Sequence, residues 1–539
     1  MPETEVPTSA DARVTGDAWM VRRTPLGGSP LSRALQEDPS RHDWLVARPS
    51  SLDAWRERVQ AVHASARTRD WLTPLAPAIA ATGRAAERLG RAAAAGVVVT
   101  TGQQPGLFGG PGYTFSKALS ALAMADALEE ATGVTVAPVF WAATDDTDWL
   151  EAAVTQVATP RGLQTLSLAG PPTDGVSMAD VPLGPLDDAL RALRAASGSV
   201  AHEAVLRAVE HAYVPHATVG AAYVQLLRAL LEPLGIAVLD AAHPAVRTAA
   251  DPLLRRALQS AAAVHEAVVA RTSAIGADGF TAQVEVMDEL SLVFRTQTGA
   301  SGRERDRIRT RVPIADAARV AREADVASLG PNVLLRPVIE RALLPTIAYH
   351  AGPGEYAYFA QVAPIARVLE LEAPLVVPRW SGEVIDRSAD AARERLGLGE
   401  DVLRDAHAAE TLVARRAVAT DVQDAIERLR VAIETQVRAV RDAAQQDHGV
   451  VAPEVVGGLA NDLGFRLERF ERRVVAGVKR RESELLREVA YVRASLRPDG
   501  HSPERKLTLI PLLARFGPAI FDAMRQDARA YVERLVRNH

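Results

Sequence analysis

The sequence predicts an α/β protein whose parallel-sheet core is followed by a long α-helical antiparallel coiled coil. Three observations predict it. Val97 to Lys117, VVVTTGQQPGLFGGPGYTFSK, runs from three β-branched apolar residues through five glycines and two prolines into a helical pattern, and Val134 to Trp141 supplies the next strand. Together they make the strand–helix–strand unit of a parallel sheet. Leu343 to Arg379 repeats the theme: a strand to Tyr349, a Gly352-Pro353-Gly354-Glu355 loop, a helix from Tyr356 to Leu369 and a strand at Leu375 to Val377. Finally, Val422, Ile426, Leu429, Ile433, Val437 and Val440 step by three and four, and a second run follows from Leu463 to Val492. That is the seam of two long helices lying antiparallel.

Length and composition set the bounds. At 539 residues the chain exceeds one compact core and predicts two or three domains. It is 48% hydrophobic and 24% charged, as a soluble globular protein is. A net charge of −5 gives no reason to expect nucleic acid as a partner. The absence of cysteine excludes a disulfide framework, a cysteine-ligated zinc and a cysteine nucleophile. The acidic start, MPETEVPTSADARVTGDAW, has no apolar core, and no apolar run reaches the ~18 residues that span a bilayer. The expected compartment is the cytoplasm, with no membrane partner.

In chain order, residues 1–16 read as disordered and 17–385 as the core, with insertions at about 150–220 and 275–325. Within the core, helices are expected from Leu52 to Ala66, Pro74 to Ala95 and Thr114 to Ala131, the last stopped by Gly133. Further helices run from Val219 to Leu231 and Asp251 to Ser273, with a strand from Ile236 to Asp240. Phe280–Val286 and Leu290–Phe294 alternate like a hairpin, and Arg303–Arg311 reads as a charged, exposed stretch. Residues 386–500 form the helical segment, broken at Asp447-His448-Gly449, and 501–539 supply helices that pack back on the core.

The chemistry gathers at predicted strand ends. A glycine-rich turn leading into a helix N-terminus suits an anion, and Lys117, read as an exposed first-turn lysine, adds a positive charge. The known nucleotide loops are absent, since Lys117 is followed by Ala118 and no G-x-G-x-x-G follows the strand in frame. Asp145, Asp146 and Asp148 follow the second strand, where open α/β sheets bind ligands. They suit Mg²⁺, an amine or general-base work, or else the capping of a turn. Arg336 and Arg379 suit bidentate binding of a carboxylate or phosphate.

Four stretches resemble one family, the bacillithiol-biosynthesis cysteine-adding enzymes, often called cysteine ligases. TGQQPGLFGGPGYTFSK is similar to the family's TGQQ-x-GLF-x-GP-x-Y-x-x-x-K loop, and PVFWAATDDTDW to its PVFW-x-x-x-EDHD strand end. RPVIERALLPTIAYHAGPGEYAYFAQV resembles its RP…LLPT…GGPGE…Y-x-x-Q block, and SPERKLTLIPLLARFG its C-terminal QER…YGP segment. The resemblance implies a Rossmann-like core with connecting-peptide insertions and a helical coiled coil. It implies a ligase that joins L-cysteine to the amine of glucosaminyl-malate. A free carboxylate is a poor acyl donor, so the chemistry calls for activation, most simply by ATP with Mg²⁺.

On that basis Asp145, Asp146, Asp148 and Glu355 are the candidate catalytic carboxylates. Gly102, Gln103, Gln104, Gly110, Tyr113 and Lys117 are substrate-binding candidates from the first loop. Arg336, Gly352, Gly354, Tyr358, Gln361 and Arg379 are those from the second region, and no metal ligand set is assigned. The family's histidine in EDHD is Thr147 here and its glutamate is Asp145, so position 147 receives no catalytic role. His350 reads as a packed core histidine.

The two glycine loops are expected to face one cleft, with Arg336 or Arg379 at its rim, and the coiled coil to make a homodimer. The competing functional reading is a nucleotide- or sugar-phosphate-binding protein on the same core without ligase activity.

Overall fold

The structure, a computed structural model, describes residues 14–39, 43–66, 69–170, 172, 174–298, 307–446 and 451–537. Expectations for residues 1–13, for residues 303–306 of the charged stretch and for the break at Asp447-His448-Gly449 lie outside these. Eight strands position the site: β1 (Gly96–Gln103), β2 (Thr135–Ala142), β3 (Ala237–Asp240), β4 (Leu290–Thr298), β5 (Arg307–Pro313), β6 (Leu329–Pro331), β7 (Thr346–Ala351) and β8 (Val376–Pro378). The first sheet runs β8-β7-β1-β2-β3, with every pair parallel. All five carboxyl ends therefore lie along one edge.

Helices cover both faces, so the strands read as nearly continuous apolar runs rather than alternating ones. Val97, Val99, Val136 and Phe140 face a core shared with α1 (Tyr113–Thr132). Val98, Val139, Trp141 and Leu239 face the opposite layer, against Leu89 and Ala92 of the helix Gly83–Ala95. Later in the chain come α2 (Arg336–Leu343), α3 (Pro353–Tyr358), α4 (Thr420–Gln446), α5 (Pro453–Arg481) and α6 (Ala519–Arg537). α1 is buried from Thr114 to Ala125, which its run of alanine, leucine and methionine permits. α6 lies along it, with Phe521 against Phe115 and Arg525 paired to Asp126. At Gly102 an added Cβ would meet the Trp141 carbonyl oxygen at 2.7 Å, so only glycine lets β1 run beside β2 here.

Some expected elements differ. Phe280–Val286 is not a strand. The partner of β4 is β5, and the antiparallel order is β6-β4-β5. β5 reads RIRTRVP, and its arginines masked the period-two pattern. The helix expected from Pro74 to Ala95 is two, Ala76–Ile79 and Gly83–Ala95, parted where Ala80 takes a left-handed φ of 41°. Likewise the helical span around Asp251 to Ser273 is Pro244–Gln259 and Ala261–Ala277, parted at Ser260.

The chain divides into two compact units, one of residues 1–157, 165–385 and 503–539, the other of residues 158–164 and 386–502. The first holds the parallel sheet. In the second, α4 and α5 pack together and an Arg430–Glu471 ion pair joins them. Val437 is the buried residue of α4, while Val422, Leu429 and Val440 are 37%, 48% and 47% exposed.

Candidate active site

A cleft of about 320 Å³ opens at the carboxyl edge of the parallel sheet. Gly102, Gln103 and Gln104 reach it from the end of β1, and Asp145, Asp146 and Thr147 from the turn after β2. Tyr349 of β7 and Glu355 and Tyr358 of α3 line the next side, with Arg336 at the start of α2. The antiparallel sheet lines a further wall with Phe294, Arg309 and Arg311, joined by Asn332 just after β6.

One ion pair joins the two glycine loops. Lys117 Nζ lies 2.5 Å from Glu355 Oε2 and donates to the Gly102 carbonyl and to Gln103 Oε1, both at 2.7 Å. Three acceptors match the three ammonium protons, so Lys117 keeps none for a ligand. Its side chain is 4% exposed, which corrects the reading of an exposed first-turn lysine: α1 is buried on all sides at that level. Burial lowers the ammonium. Burial alone would raise Glu355, but Lys117 and the Tyr349 hydroxyl, which donates at 2.6 Å, hold it below the usual carboxylate range.

The three aspartates separate. Asp145 lies 3.3 Å from Arg309 Nη2. Asp146 has no ion-pair partner among the described residues; its Oδ1 accepts from the backbone N–H of Thr147 at 2.6 Å and of Asp148 at 3.0 Å. Burial pushes its carboxyl up, and the charge of Asp145 adds to that push, against the two N–H bonds and the more distant charge of Arg309. Asp148 is the N-cap of the short helix Trp149–Ala152, accepting from Glu151 N at 3.1 Å, and it does not line the cleft.

Guanidinium groups face these carboxylates. Arg336 Nη1 pairs with buried Glu340 at 2.5 Å, and its Nη2 donates to the hydroxyls of Tyr349 and Tyr358 at 3.2 and 3.3 Å. Arg309 and Arg311 alternate on β5 and so share a face. Both lie over the Phe294 ring, at 4.7 and 5.3 Å from its centroid. The sequence reading placed this stretch on the surface; the R-x-R alternation beside a strand was the signal that would have found them.

Behind the cleft, Glu151 was also missed. It accepts from Tyr113 Oη at 2.8 Å, Gln103 Nε2 at 3.1 Å and Gln104 Nε2 at 2.5 Å. Burial raises its carboxyl. Gln103 thus bridges Lys117 and Glu151, which fixes its amide orientation.

Comparison with known proteins places the chain in a family. Residues 32–380 match the model of the bacillithiol biosynthesis BshC N-terminal Rossmann-like domain. The chain belongs to the BshC family. A BshC protein of Solibacter usitatus, named "Putative cysteine ligase BshC", is 31% identical over 494 residues, covering 87% of each chain. Proteins of the same name from Koribacter versatilis and Salinibacter ruber are 31% and 26% identical, over 81% and 80% of this chain and 82% and 81% of their own.

Several positions named from the BshC resemblance lie away from the cleft. Arg379 is 2% exposed and bonds Glu504 through both Nη atoms, at 3.1 and 2.8 Å. Gln361 is fully buried and spends its amide on Thr272 and on the backbone of Val284. Tyr113 stands behind Gln103, on Glu151. Gly110, at φ 73°, turns the loop, and three of its N–H groups are already used: Gly109 on Gly106 O and Tyr213 Oη, Gly110 on Leu107 O, and Gly112 on Leu507 O. The N–H groups of Gly109, Gly110 and Gly112 are therefore not available to an anion. Gly352 donates its N–H to Glu355 Oε2 at 2.8 Å, orienting that carboxylate, and Gly354 follows it in α3 without lining the cleft. His350 is fully buried, 3.1 Å from Met124 Sδ, and burial pushes its imidazole down to about 3, as a packed core histidine requires.

Proposed function

We propose that this BshC-family chain is a carbon–nitrogen ligase that joins the carboxyl of L-cysteine to the amine of glucosaminyl-malate, forming the amide bond of bacillithiol. The observation that carries the reading is Asp146: a cleft carboxylate raised by burial and without an ion-pair partner among the described residues. Such a carboxylate is suited to take the proton of an ammonium so that the nitrogen attacks. In this scheme Asp145 and Glu355, each tied to a cation, shape the amine end, and Gln103 and Gln104 offer amide contacts. ATP, with Mg²⁺, would supply activation by turning the cysteine carboxyl into an acyl group with a phosphate-bearing leaving group. No step is assigned to it.

The helical unit supports a further part of the reading, a homodimer through an antiparallel coiled coil. Val422, Leu429 and Val440, the seam positions of α4, stay exposed within one chain, as they would if a second chain covered them. No helix among the described residues is long and apolar enough to cross a membrane.

The test is incubation of the purified chain with L-cysteine, glucosaminyl-malate and ATP–Mg²⁺, with bacillithiol read by mass spectrometry. Asp146→Asn, which keeps the Oδ1 acceptor, should lower product formation by about 10²–10⁴-fold. Wild-type protein that binds a nucleotide or a sugar phosphate but forms no product would favour the runner-up, a nucleotide- or sugar-phosphate-binding protein without ligase activity.

A further inference from the structure

The charged groups of the cleft can be paired off. Arg309 answers Asp145, Lys117 answers Glu355, and Arg336 answers Glu340. Two lining charges then remain without an ion-pair partner among the described residues: Asp146 and Arg311. Arg311 is anchored by its Nε, which donates to the Ser291 carbonyl at 2.9 Å, and by its face on Phe294. Its two Nη atoms have no protein acceptor among the described residues. Burial lowers the guanidinium, so the surroundings favour a ligand that would balance its charge. Asn332 stands on the same wall, held by its own N–H on Leu292 O, the residue after Ser291 on β4. Its Oδ1 is taken by the Leu335 N–H at 3.0 Å, which leaves the amide N–H₂ as a second donor.

We propose that Arg311, assisted by the Asn332 amide, is the specificity-determining group that docks a carboxylate of the amine-bearing substrate while Asp146 receives its amine. One unpaired guanidinium and one unpaired carboxylate suit a ligand carrying both an anionic arm and an amine. A planar fork binds a carboxylate bidentately, and a single uncompensated positive charge falls short of what a polyphosphate needs. This rests on the ligase reading for the identity of the substrate, whereas the docking itself is separately measurable.

Calorimetry on the full chain with L-malate, inorganic phosphate and ADP as probes tests it. Arg311→Gln should weaken malate by about 10- to 100-fold, the loss of a charge-assisted pair, and leave ADP unchanged. Arg311→Lys, a point charge without the fork, should recover part of the loss. Asn332→Asp keeps the acceptor for Leu335 and sets a negative charge beside Arg311; it should weaken malate at least as much. A thermal melt shows that each variant is folded. Unchanged malate affinity in both Arg311→Gln and Asn332→Asp overturns the proposal, as does loss of ADP or phosphate binding with malate untouched. If wild type forms no bacillithiol but malate binding still depends on Arg311, the ligase reading fails and the docking stands. If bacillithiol forms and Arg311→Gln leaves the KM for glucosaminyl-malate unchanged, the docking fails and the ligase stands.

Discussion

Lys117–Glu355 and Arg379–Glu504 are both buried ion pairs of the same unit, and both cations look like anion binders in the sequence. They differ in one respect. Glu504 is 5% exposed and its oxygens are filled by Arg379, Ser381, the Gly382 N–H and Ser116. Glu355 is 17% exposed and lines the cleft. The sealed pair fastens the C-terminal segment to the core. In the open pair, the lysine fixes a carboxylate that solvent and ligand can still reach. Charge and burial are common to both; the reachable oxygen separates structure from site.

Arg379→Met leaves Glu504 buried and unpaired and should cost about 3–5 kcal/mol of unfolding free energy by urea titration. Lys117→Met strands Glu355 less completely, since the Gly352 N–H, the Tyr349 hydroxyl and cleft water remain, so about 2–3 kcal/mol is expected. A larger loss for Lys117→Met than for Arg379→Met would erase the distinction. Lys117 substitution is thus expected to affect folding, contrary to the reading of an exposed lysine.

Acid titration gives the next effect. Burial alone would raise Glu504, but Arg379 and its hydrogen bonds bring it below its ordinary value. Its contribution is therefore present above the unfolded carboxyl pKa, about 4.3, and is lost as pH falls through the lower folded value. The double variant Arg379→Met with Glu504→Gln should lose less stability than wild type in that window. Asp146 has the opposite sign, because its folded carboxyl is raised. It withdraws stability as pH climbs from the unfolded value, about 3.9, through the folded one. Asp146→Asn should therefore be slightly stabilising at neutral pH, by under about 1 kcal/mol, measured by the same titration. A destabilised Asp146→Asn would mean that the carboxylate is structurally paired after all.

Much of the parallel sheet was legible because strands buried on both faces are runs of valine, isoleucine and alanine, as Val97–Val99 and Val376–Val377 are. The antiparallel wall was not. Its edge strand, β5, carries arginines at alternate positions, and charge in a sequence reads as surface until a cleft is known to lie over it. The carboxylates at strand ends were found by topology alone, whereas their separation into ion-paired Asp145, Asp146 held by backbone N–H groups and capping Asp148 depends in part on partners such as Arg309, distant in sequence. Lys117 and Gln361 were misplaced for the same reason: family pattern marks which residues matter, and packing decides whether they face ligand or core.

The counter-ion of Arg379 lies 125 residues further along the chain. A chain emerging from the ribosome at roughly 5–20 residues per second would wait about 6–25 s between making Arg379 and making Glu504. Through that interval the guanidinium lacks its carboxylate, and Gly112 lacks the Leu507 carbonyl that closes its loop. The sheet can gather early, but its sealing waits for the return segment. The order of synthesis thus makes the helical unit, which lies between them in sequence, available before the core can lock.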